Sequence, residues 1–119
     1  MRTEALDATD GTRIWRSSFS GPDGQSAYAR EIALAPDGAA VYVTGWREGD
    51  DVGGADIATI CYDAVTGAEL WVATYAGPDS GYDFSTQLDV APDGSMVFVG
   101  GSVDQGGIGE WALLAYEGA

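Results

Sequence analysis

The sequence predicts an all-β chain: two consecutive four-stranded antiparallel blades of a β-propeller, too few to close a ring alone. Three observations predict it. A 56-residue repeat covers the chain, each repeat holds four short strand signals, and no stretch carries the i, i+3, i+4, i+7 pattern of an amphipathic helix.

The repeat comes first because it decides the fold. Asp7-Ala8 matches Asp63-Ala64, Gly11 matches Gly67, and Trp15 matches Trp71. Gly21-Pro22-Asp23 matches Gly77-Pro78-Asp79, and Ala35-Pro36-Asp37-Gly38 matches Ala91-Pro92-Asp93-Gly94. Val41, Val43 and Gly45 match Val97, Val99 and Gly101. The second copy is then two residues shorter within a glycine-rich stretch, so Tyr62 is followed by Tyr116 at a spacing of 54.

The elements of one unit follow in order. Glu31 to Ala35 is a short strand closed by Pro36-Asp37-Gly38, a strong turn signal. Ala40 to Thr44 is β-branched and aromatic and is expected to stop at Gly45. Gly49 to Gly54 reads as an acidic, glycine-containing loop, and its counterpart falls within Asp104 to Glu110. Ile57 to Tyr62 is the third strand, Thr66-Gly67 a tight turn, and Glu69 to Tyr75 the fourth. The strands are apolar at nearly every residue, which suits a sheet covered on both faces by neighbouring blades. Immunoglobulin-like sandwiches also use short strands but do not repeat internally at this period.

Composition bounds the chemistry. Nineteen acidic residues face five arginines, for a net charge of −14, with no lysine and no histidine. Phosphate binding needs a basic patch, so nucleic acid is not an expected partner. An anionic membrane surface is disfavoured on the same ground, and no apolar run approaches the roughly 18 residues of a membrane helix. Without histidine there is no Ser-His-Asp or Cys-His pair and no imidazole ligand. Without lysine there is no Schiff base. The single Cys61 cannot form an intrachain disulfide. It sits in an apolar run where the other copy has Ala5, and it reads as a buried small residue.

The turn between third and fourth strands carries a motif. Ala5-Leu6-Asp7-Ala8-Thr9-Asp10-Gly11-Thr12-Arg13-Ile14-Trp15 resembles the tryptophan-docking motif of PQQ-like (quinoprotein-type) β-propellers, Ala-x-Asp-x-x-x-Gly-x-x-x-Trp. Cys61 to Trp71 is a second copy, with Cys61 in place of alanine. The Ala-Pro-Asp-Gly and Val-Tyr-Val-Thr-Gly stretches also resemble bacterial β-propeller repeats. The resemblance implies that Trp15 and Trp71 pack between neighbouring blades, beside turns built on Asp7 and Gly11 and on Asp63 and Gly67. Quinoprotein dehydrogenases of this fold bind pyrroloquinoline quinone and Ca²⁺ at the ring centre, but their enzymatic residues lie outside the motif and have no match here. The family is often extracytoplasmic in bacteria, and nothing near Met1 resembles a signal peptide.

The remaining candidate contacts are Trp46, Asp50, Asp51 and Asp56. The run from Glu48 to Asp56 offers oxygen ligands for Ca²⁺, although it lacks the order of an EF-hand loop, and a solvated loop is the competing reading. Trp46 and Trp111 break the repeat, facing Ser102 and Ile57. Trp46 reads either as an exposed stacking platform or as a packed residue.

The expected function is a non-catalytic scaffold or protein-interaction module with no cofactor, assembling with itself. The alternative is a carbohydrate- or cation-binding, lectin-like module. A complete blade spans about 26–75. The second, 82–116, lacks a fourth strand, which strand 12–19 of a neighbouring chain is expected to supply. Three or four copies then give a ring of six or eight blades, within the usual four to eight. Residues 5–9 and 115–119 hold the same place in the repeat, 110 residues apart. Residues 1 to about 6 are therefore expected to be displaced, edge-lying or disordered in such a ring.

Overall fold

The computed structural model describes residues 1–49, 54–79 and 81–119. Among the described residues nine strands follow one another: β1 (Arg2–Leu6), β2 (Arg13–Ser18), β3 (Ala27–Leu34), β4 (Ala40–Glu48), β5 (Ala55–Asp63), β6 (Glu69–Tyr75), β7 (Phe84–Val90), β8 (Met96–Gln105) and β9 (Ile108–Glu117). They form three antiparallel sheets in simple up-and-down order: β1-β2, β3-β4-β5-β6 and β7-β8-β9. Among the described residues the sheets do not close into a barrel or a ring.

The four-stranded sheet lies between the other two, and its centre is buried on both faces. β4 and β5 are buried at nearly every position, whereas β6 and β9 alternate. This fits the apolar runs of Ala40–Thr44 and Ile57–Tyr62. One face packs Val41, Val43, Ala58, Ile60 and Tyr62 against Trp15, Met1, Ala5 and Phe19 of the β1-β2 ribbon. The opposite face packs Ala40, Tyr42, Ile57 and Cys61 against Leu88, Val97, Val99 and Leu114 of the three-stranded sheet. Polar groups cross the second interface in matched pairs. Ser85 Oγ donates to the Gly45 carbonyl at 3.0 Å, the Leu88 amide donates to Glu31 Oε2 at 2.6 Å, and the Ala119 amide donates to the Tyr42 hydroxyl at 2.9 Å. Inside the sheet, the buried Thr44 and Thr59 hydroxyls lie 3.1 Å apart and satisfy each other.

Two strand ends differ from the sequence expectation, each for a physical reason. β4 does not stop at Gly45 but runs on to Glu48. Gly45 instead lies against the β3 bulge between Ala29 and Glu31, where an added Cβ would overlap the Tyr28 carbonyl. Gly101 does the same against the Phe84 carbonyl in the next sheet. These glycines mark close backbone approach rather than a break. The glycine-rich stretch at 104–110 is likewise mostly strand. β8 and β9 turn over Gly106 and Gly107, both at positive φ, with Gln105 paired to Ile108. Two consecutive residues at positive φ make the two-residue hairpin whose twist matches the strands.

Candidate functional site

The geometry around Trp15 is the most fully built site in the molecule. β2 carries the indole across to the β5–β6 turn of the next sheet, where its Nε1 donates to the Ala64 carbonyl at 2.9 Å. The ring lies on Gly67, so closely that a Cβ there would come within 2.6 Å of the indole. Gly67 has φ +71, which a residue with a side chain adopts only at a cost. Ser17 Oγ also donates to the Gly67 carbonyl. Tyr62 packs against Trp15 with ring centroids 6.3 Å apart.

The aspartates shape the turns. Asp63 Oδ1 accepts from the Val65 amide at 3.0 Å, the Thr66 amide at 2.7 Å and the Thr66 hydroxyl at 2.9 Å. Asp7 Oδ1 accepts from the Thr9 amide at 2.7 Å and from the Thr9 hydroxyl. Each fold bond favours the ionised form, so both carboxyls are held below their ordinary range. The Thr66 amide is the largest cause for Asp63, and the Thr9 hydroxyl for Asp7. Gly11 closes the β1–β2 turn at φ +75 with open space around it.

Trp71 repeats the arrangement against the three-stranded sheet in part. Its ring packs on Tyr116 at 5.8 Å and on Tyr42 at 6.0 Å, and it is only half-buried.

The other candidates do not converge on one ligand. Trp46 is not at a strand end. It lies within β4, stacked on Tyr28 at 4.2 Å with Phe84 edge-on at 5.4 Å. Phe84 in turn stacks on Tyr82 at 5.9 Å. Sequence reading missed this aromatic run, although Tyr28 and Phe84 occupy the same place in the repeat and the signal was there. Trp111 is far from Trp46 in character, standing 86% exposed on β9. Asp56 is paired with Arg47 at 3.0 Å, both largely buried, so this carboxylate serves an ion pair. Asp50 and Asp51 lie outside the described residues. Among the described residues no three acids or cysteines gather as a metal site would require. Cys61 is fully buried, and burial pushes its thiol up to about 11, which leaves it protonated and unreactive at neutral pH.

No family model, curated protein or solved structure matches the chain.

Proposed function

We propose that the chain is a non-catalytic β-propeller scaffold or interaction module whose copies join head to tail into a closed ring of six or eight blades. One observation carries this reading. The faces left open at the two ends of the sheet stack are the repeat equivalents of the two faces already packed together inside the chain. The outer face of the three-stranded sheet presents Phe98, Trp111 and Leu113, the counterparts of Tyr42, Ile57 and Thr59, which are buried in the internal interface. At the other end, Ile32 and Leu34 stand 60% and 61% exposed, while their counterparts Leu88 and Val90 are covered. These two, with Val41, Ala5 and Trp15, line an open groove of about 340 Å³.

The surface supports the same reading. The chain exposes 6702 Å², against roughly 6100 Å² expected for a compact monomer of 12.3 kDa. Contiguous apolar faces of this kind mark interaction sites in soluble proteins. A heterologous contact between unlike faces of one chain makes a ring when its rotation closes. Native mass spectrometry with light scattering at micromolar concentration tests the reading. It expects three or four copies, and a stable well-folded monomer over the whole concentration range overturns it.

A carbohydrate- or cation-binding role is the second reading, favoured by the exposed Tyr28 and Tyr82 at the two ends of the aromatic run through Trp46 and Phe84. Such rings stack on sugars and attract cations. A glycan array and titration with Ca²⁺ separate it from the first. Saturable binding lost in Tyr28→Ala supports it, and no binding in either assay removes it.

A further inference from the structure

We propose that β1 is a self-capping strand: on its own chain it occupies the place that β9 of a second copy takes when copies join. The proposal rests on the ring reading and adds the step that regulates it.

The repeat fixes the equivalence. Met1, Thr3 and Ala5 register on Trp111, Leu113 and Ala115 at a constant spacing of 110. In the chain, β1 pairs with β2 from Arg2↔Ser18 to Leu6↔Arg13 and turns Met1, Thr3 and Ala5 onto the sheet face of Val43, Ala58 and Ile60. Thr3 is buried there, whereas Leu113 at the matching place on β9 is 75% exposed. Among the described residues β9 pairs with β8 alone, which leaves its other edge free. Release of β1 from β2 opens an edge that suits the free edge of β9, and the exchange covers Trp111 and Leu113, which are 86% and 75% exposed. Uncovered edges and apolar faces together are what proteins otherwise guard against.

The two strands are built for different surroundings. β1 is small on its inner side and charged on its outer side, where Glu4 bridges Arg16 at 2.6 Å and Arg2 at 3.3 Å. That suits a strand with one sheet beside it and water beyond. β9 is apolar on both sides, with Trp111, Leu113 and Ala115 on one and Ala112, Leu114 and Tyr116 on the other. That suits a strand between two sheets. The chain therefore contains a covering strand fit for the single copy and an alternative fit for the assembly.

A reversible lock tests this. Met1 and Phe19 exchange both backbone bonds, at 2.7 and 2.9 Å, so the next pair, Arg2↔Ser18, is a non-hydrogen-bonded pair with close side chains. Both residues face solvent, and cysteines at such a pair fall within disulfide reach. Arg2→Cys/Ser18→Cys should stay monomeric when oxidised and assemble when reduced, as read by native mass spectrometry. A variant lacking residues 2–6 should assemble at concentrations at least ten-fold lower than the parent chain. If the oxidised variant assembles as readily as the reduced one, β1 is no cap, although the ring reading stands. If the reduced variant, the parent and the shortened chain all remain folded monomers, the ring reading itself falls and the cap with it.

Discussion

The two interfaces of the central sheet use the same repeat yet are completed in opposite ways. Toward the β1-β2 ribbon, the half of the contact at the β5–β6 turn is built: Trp15 is buried, bonded to Ala64 and laid on Gly67. The half beside β3 is open, and Ile32 and Leu34 face water. Toward the three-stranded sheet, the half beside β3 is closed by β7 and β8, with Glu31 and Ser85 bonded across it. There Trp71 is only half-buried beside Tyr116. The lesson is that packing of the tryptophan and packing along β3 are separable contributions to a sheet-to-sheet contact.

Alanine substitution of the two tryptophans is the strongest way to break this comparison. Trp15→Ala should cost on the order of 3–5 kcal/mol, because the indole is buried and bonded. Trp71→Ala should cost less than that in a single chain, because its ring is less fully buried. Denaturant unfolding of both variants at concentrations that keep the chain monomeric checks the order, and equal losses would remove the distinction. In an assembled ring the gap should close, since Trp71 then gains a covering turn.

The turn glycines give the next largest effect. Gly67→Ala combines left-handed backbone strain with a clash against Trp15 and should cost on the order of 2–4 kcal/mol. Gly11→Ala carries the same φ strain with open space around it, so about 1–2 kcal/mol is expected. If the two thermal shifts are the same, the indole does not rest on Gly67 in solution.

The repeat made much of this legible without coordinates. Trp15, Gly67 and Asp63 stand out because the 56-residue spacing duplicates them, and a turn glycine followed by a tryptophan has few readings. Gly45 was illegible for an equally physical reason. A glycine after a β-branched run looks like a stop, and the bulge that demands it lies on the partner strand, sixteen residues away at Ala29. Trp46 was hard to place because its neighbours Tyr28 and Phe84 come from two different sheets. The Arg47–Asp56 pair was hidden too, since cross-strand partners depend on a register that composition does not state.

Acid should sharpen the comparison between the two docking turns. Asp63 is held below its ordinary 3.8 by bonds made only in the fold. Its contribution is therefore complete above that value and is lost as pH falls through the lower folded value. Melting temperature should decline as pH falls below about 4, and Asp63→Asn should flatten part of the decline. Asp7 follows the same sign, so Asp7→Asn should act likewise while leaving Trp15 fluorescence less disturbed, because that turn carries no indole. A slope unchanged by either substitution would show that the turn bonds persist without the charge.

The smallest expected effect is that of salt. Each chain carries −14, so copies repel as they approach. Raising ionic strength from about 0.01 M to 0.15 M shortens the screening length from about 30 to 8 Å and should favour assembly several-fold. Sedimentation velocity across that range checks it, and dissociation on adding salt would point to ion pairs at the joint instead.

The hairpin over Gly106 and Gly107 has a consequence for symmetry. Two residues join β8 to β9, whereas six, 49–54, separate β4 from β5. Adjacent sheets thus differ in the number of residues in this connection. A ring of whole chains would carry a rotational order equal to its number of chains, half its number of blades, with the longer connection recurring at every second step. A molecule grasping that connection would bind once per chain, and the stoichiometry of binding would count the copies.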